Sequence, residues 1–87
     1  MGLETVELIL LAEEHFEIRI TDESSQFVTT VADFIDLIHQ VALSQRDIPI
    51  DKTDISDWLV EALIREFAVK PEHIHTEARF IQDLGLD

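Results

Sequence analysis

Cysteine is absent, which excludes disulfides, thiol catalysis and cysteine-ligated zinc. Basic residues are scarce: 6 Lys and Arg stand against 19 Asp and Glu, for a net charge of −13. Such a balance repels nucleic-acid phosphates and anionic lipid, and directs attention to partners that carry Lys/Arg patches. Long apolar runs are missing as well; Leu8–Ala12 is the longest and falls far short of a membrane span. No signal-peptide pattern opens the chain, so a cytoplasmic location is the expectation. Met1-Gly2 begins like a myristoylation signal, but Val6 stands where that signal needs Ser or Thr. A P-loop, a Gly-rich nucleotide turn, a Ser-His-Asp spacing and a paired-carboxylate motif are all lacking, and the chain does not read as an enzyme.

Only 2 Gly and 2 Pro punctuate the 87 residues, while 46% are hydrophobic, enough for the core of one small domain. The apolar spacing is helical nearly throughout. Leu3–Phe16 reads as a helix with Glu4 and Glu7 in its first turns, where the helix dipole favours negative charge. Glu17–Ile20 reads as a loop, and Thr21–Ser24 as cap residues opening a brief helical turn. Thr30 is the expected N-cap of Val31–Leu43, whose Val31, Phe34, Ile35, Ile38, Val41 and Ala42 form a stripe. A polar connection over Ser44–Asp54 follows, and Thr53 or Asp54 is expected to cap Ile55–Val69, stopped by Pro71. In that helix Ile55, Trp58, Leu59, Ala62, Leu63 and Phe67 are expected to face inward. Glu72–Asp87 reads as a loop with one turn of helix around Arg79–Asp83. The fold class is therefore all-α, a single domain over residues 1–87.

The two ends carry a further signal. The tail FIQDLGLD (Phe80–Asp87), read into the head MGLETVEL (Met1–Leu8), resembles the acyl carrier protein signature F-V-x-D-L-G-x-D-S-L-D-x-V-E-L. Other segments are similar to the same family: Trp58–Leu84 to its first helix and long loop, Leu3–Ile20 to its second helix, and FVTTVADFIDLI (Phe27–Ile38) to its fourth. The resemblance implies an acyl-carrier-like four-helix bundle whose segment order is permuted to 2-3-4-1. Residues 1–43 would then hold family helices 2 to 4, 44–54 a linker, and 55–87 family helix 1 with its loop. About ten linker residues reach up to roughly 30 Å, so closure within one chain is feasible. A monomer is the expected state, and exchange of halves in a swapped dimer is the alternative.

The family carries acyl chains for fatty acid and polyketide-type synthesis on 4'-phosphopantetheine attached to the signature serine. That serine stands four residues ahead of the Val of V-E-L; counting back from Val6 reaches Gly2. The resemblance thus implies that the chain lacks the attachment point and bears no cofactor. Thr5 is the nearby hydroxyl, yet it lies three residues out of register and on a different side of the helix. Carried over residue by residue, Glu4, Val6, Glu7, Leu10, Glu13, Glu14 and Asp87 would meet basic patches on synthases and transferases. An ordinary solvated helix face is the competing reading. Leu10, Ile20, Val28, Phe34 and Ile38 would line an acyl pocket, against the plainer alternative of a close-packed core. An acidic, non-catalytic interaction module is the alternative function. An engineered permutant made for folding study, a natural rearrangement and an excerpt from tandem carrier domains all remain open as origins.

Metal chemistry is not expected. His73 and His75 share a face only in an extended segment, and Glu72 and Glu77 beside them supply no committed third ligand. Asp51–Ala62 fails as a calcium loop, with Ser56 where Gly is required and Ala62 where a bidentate Glu is required.

Overall fold

The computed structural model describes residues 3–86. Their order is α1 (Leu3–Phe16), α2 (Asp22–Ser25), α3 (Val31–Arg46), α4 (Lys52–Phe67) and a 3-10 turn over Pro71–His73. Among the described residues there is no strand, only one isolated antiparallel bridge between Thr30 and Arg79. The all-α expectation is met, with three long helices and one short one.

Polar caps set the starts of these helices. Thr21 accepts from the Ser24 amide at 3.1 Å and opens α2. Thr30 and Asp33 form a reciprocal capping box at the head of α3: Thr30 Oγ1 accepts from Asp33 N, while Asp33 Oδ2 accepts from Thr30 N. Two further orphan amides of that first turn, Val31 and Ala32, donate to the carbonyls of Ala78 and Thr76, each at 2.9 Å. The C-terminal segment therefore completes the N-terminus of α3. It then turns back at Arg79–Leu84 and places Ala78, Phe80, Leu84 and Leu86 in the same core as Leu8, Ile38, Ile55, Leu59 and Leu63. A 3-10 turn at Pro71–His73 was not foreseen there; the turn expected near Arg79–Asp83 exists, closed by Asp83 N donating to Arg79 O at 2.9 Å.

Three boundaries differ from expectation, each for a physical reason. Helix α3 continues past Leu43 through Ser44, Gln45 and Arg46 because tertiary bonds hold that polar turn. Gln45 exchanges two 2.8 Å hydrogen bonds with the Arg19 backbone, and Arg46 donates to Phe16 O at 3.1 Å. Helix α4 starts three residues earlier than Ile55, since Asp51 Oδ1 rather than Thr53 or Asp54 takes the capping role by accepting from Thr53 N. Its end at Phe67, two residues early, follows from Ala68 adopting the left-handed conformation. The connection is consequently residues 47–51, held over α3 by His39 Nδ1 bonding to Ile50 O at 2.9 Å and by Lys52–Asp36 at 2.9 Å.

Within α4, Ile55, Leu59, Ala62 and Leu63 are buried as expected, whereas Trp58 and Phe67 are only half-buried. Trp58 lies at the rim of the α1–α4 contact, stacked on His15 at 5.3 Å and edge-on to Phe16 at 5.1 Å. An indole is too large to enclose at such a rim, so one face packs and the other stays wet.

Candidate functional site: an apolar cavity beside an acidic helix face

Helix α1 buries Thr5, Leu8, Ala12 and Phe16, a three-to-four residue spacing that turns one stripe to the core. The opposite face presents Leu3, Val6, Glu7, Leu10 and Glu14. Val6 is 41% and Leu10 56% exposed, so two aliphatic side chains sit in solvent between carboxylates. The acidic positions differ in role. Glu7 and Glu14 are exposed, and Glu4 is half-buried and engaged. Glu13 turns inward across the loop: its Oε2 accepts from Ile20 N at 2.7 Å and clasps the chain after α1. Gly2 and Asp87 lie outside the described residues.

Behind the buried stripe is a cavity of about 250 Å³, bounded by α1 (Thr5, Leu8, Ile9), α2 (Ser25), the start of α3 with its approach (Val28, Thr29, Phe34, Leu37) and the tail (Arg79 to Gln82). Phe34 and Phe80 meet on its wall edge to face, with ring centroids 5.7 Å apart. Among the described residues the lining carries no histidine, cysteine or carboxylate, and Arg79 is the charged residue in it. Such a surface can enclose an apolar group.

Of the residues expected to form an acyl pocket, Val28 and Phe34 line this cavity. Leu10 and Ile20 instead border a shallower depression on the α1–α2 surface, together with Val6 and Glu13. Ile38 is fully enclosed in the core and lines neither. Ile9 and Ser25 stand between the two hollows and border both. Sequence reasoning missed Thr5, Leu8, Ile9, Ser25, Thr29, Leu37 and the whole tail contribution. The tail-to-head motif was the available signal, because it already placed Phe80–Leu84 beside the start of α1.

Thr5 is 7% exposed and faces this cavity, so its hydroxyl is withdrawn from the protein surface. The Thr30 amide, and then that of Thr29, hold the Asp33 carboxyl below its ordinary value of 3.8. The Arg79 amide acts in the same way on Asp83. Among the described residues no group of three or more His, Asp or Glu could hold a metal ion, and His73 and His75 are exposed. No helix of the described residues is long and apolar enough to cross a membrane.

No family model matches the chain, and no solved structure matches it. Among curated proteins, the acyl carrier proteins of Buchnera aphidicola subsp. Acyrthosiphon pisum, strains Tuc7 and APS, are each 44% identical to it over 44 residues. That stretch is 51% of this chain and 55% of each relative, so the chain spans about half the length of the curated relatives it matches. The resemblance to acyl carrier proteins is borne out over that stretch. The reordering of segments and the glycine at the serine position rest on the sequence motifs.

Proposed function

We propose that this chain is an acyl-carrier-type helical module that retains a carrier's recognition face and does not itself bear phosphopantetheine. The observation that carries the reading is the 44-residue likeness to acyl carrier proteins, taken with Gly2 at the serine register. Two structural features support it. The tail residues 79–82 line one cavity with Thr5, Leu8 and Ile9, which suits a family motif split between the two ends of a 2-3-4-1 order. The nearest hydroxyl of the motif, that of Thr5, is buried, whereas a transferase needs an acceptor held at the surface in reach of its own groups. The module is non-catalytic. Its partners are basic patches of carrier-dependent synthases and transferases, met by Glu7, Glu14, Val6 and Leu10.

The test is intact mass after incubation with coenzyme A and a broad-specificity phosphopantetheinyl transferase, with an ordinary carrier protein as positive control. An unchanged mass is expected. A gain of one phosphopantetheine group would overturn the reading and make this a loaded carrier.

A further inference from the structure

A groove of about 190 Å³ runs between α1 and α4 and shares no lining residue with the cavity or with the depression beside Val6 and Leu10. Leu11 and Ala62 supply its apolar part. Trp58 and His15 line it as a stacked pair, with ring centroids 5.3 Å apart and planes 21° from parallel. Glu14 from α1 and Glu66 from α4 bring exposed carboxylates to the same lining. An aromatic surface with a carboxylate from each helix complements a planar cation, because the rings attract its charge and the carboxylates accept its N–H groups. The chain supplies a precedent in Arg65, which also lines the groove. Its Nη1 donates to Glu61 Oε1 at 2.9 Å, whereas its Nε lies 3.7 Å from Glu66 Oε1, beyond hydrogen-bond distance. Glu61 therefore holds Arg65 first, and Glu66 meets it only at ion-pair range.

We infer that this groove docks an arginine side chain of a protein partner, with the guanidinium against the Trp58–His15 pair and its N–H groups on Glu14 and Glu66. Arginine follows from the lining. A quaternary ammonium offers the carboxylates no donor, and a lysine ammonium is a point charge that cannot stack. Because the groove is open and its carboxylates are exposed, a lone cation gains little there. A side chain presented on a basic partner surface is already steered inward by the net charge of −13. Glu14 is the residue shared with the face assigned above to synthases and transferases, and the docking of arginine stands whether or not the chain is a carrier.

Trp58 is the single tryptophan and tyrosine is absent, so the protein's intrinsic fluorescence reports this groove directly. The experiment is titration of the full chain at low ionic strength with three capped tripeptides, Gly-Arg-Gly, Gly-Lys-Gly and Gly-citrulline-Gly, following Trp58 emission and the Leu11 methyl shifts. The arginine peptide should bind about threefold more tightly than the lysine peptide, the worth of stacking a cation on an exposed aromatic surface. Citrulline keeps the planar shape without the charge and should bind more weakly than either. Glu66→Gln should weaken the arginine peptide about threefold. Glu72→Gln, which removes the same charge at an exposed position outside the groove, should leave its affinity unchanged. Arg65→Gln should tighten it by removing the resident competitor. Equal affinities for arginine and lysine, or equal losses from Glu66→Gln and Glu72→Gln, would reduce the binding to overall charge and overturn the site. Citrulline binding as tightly as arginine would overturn the cation, and no response to any of the three would overturn the groove as a docking surface.

Discussion

Ala68 illustrates how a shortage of glycine is felt at single positions. All three long helices end in a residue with positive φ that is not glycine: Glu17 at 54°, Asp47 at 55° and Ala68 at 55°. The left-handed region costs an L-residue roughly 1 kcal/mol through the contact of Cβ with the following carbonyl, and glycine is the usual occupant of this C-terminal position. Asp47 can offset part of that cost with a short polar side chain; Ala68 has nothing to offset it. Ala68→Gly should raise stability by about 0.5–1 kcal/mol, less than the steric cost because glycine also loosens the unfolded chain. A higher urea midpoint at unchanged slope is the expected reading, and a lower midpoint would contradict it. The reverse case is Thr30, where the side chain is the right one. Thr30→Ala removes the acceptor for Asp33 N and should cost about 1 kcal/mol, which for a domain of this size is a fall of about 5 °C in Tm by calorimetry.

Elements were legible in the sequence where apolar period and cap agree, and obscure where tertiary bonds decide. Leu3–Phe16 was readable in full because its buried stripe recurs at helical spacing. The head of α3 was readable from Thr30, since the cap precedes an apolar run. Its last turn was not, because Ser44, Gln45 and Arg46 are polar and are held by Arg19 and Phe16, which lie 26 to 30 residues away in the chain. The cavity was half legible for a similar reason. Val28 and Phe34 sit on one helix and its approach, while Arg79 to Gln82 reach it only because the tail caps α3. Glu7→Lys and Glu14→Lys should each weaken, and make less salt-sensitive, binding to a carrier-dependent enzyme with a basic docking patch, while unfolding shifts by no more than about 0.5 kcal/mol. Glu13→Ala should behave oppositely, costing about 1 kcal/mol of stability through the lost bond to Ile20 N. Surface plasmon resonance beside urea melts separates the two. Equal losses of binding with no loss of stability across all three variants would show that Glu13 belongs to the open face.

The whole molecule folds against its own charge. With 19 acidic and 6 basic residues, a compact chain brings like charges together, and folding is opposed by a self-repulsion that salt screens. Among the described residues the five ion pairs are all at exposed or half-exposed side chains, and each such pair contributes little. Screening should therefore relieve more repulsion than it removes attraction. Tm at pH 7 is expected to climb by several degrees between about 0.01 M and 0.15 M NaCl, as the Debye length falls from about 30 to about 8 Å. Acid has two effects of opposite sign. Protonating carboxylates lowers the repulsion, so the salt dependence should fade as pH drops toward the ordinary Asp and Glu range, about 4. Asp33 and Asp83 act the other way. Their folded values are lowered below 3.8, so their contribution is fully present above that ordinary value and is lost as pH falls through the folded values. Stability at low salt should consequently rise on mild acidification and then fall below about pH 3.8, until the amides of Thr29, Thr30 and Arg79 lose their charged acceptors at the lower folded values. Asp33→Asn discriminates between the terms: its deficit relative to the parent should be present at pH 7 and vanish in strong acid. A Tm indifferent to salt at pH 7 would mean that the acidic side chains are spaced widely enough for solvent to screen them unaided, and that −13 is no burden on the fold.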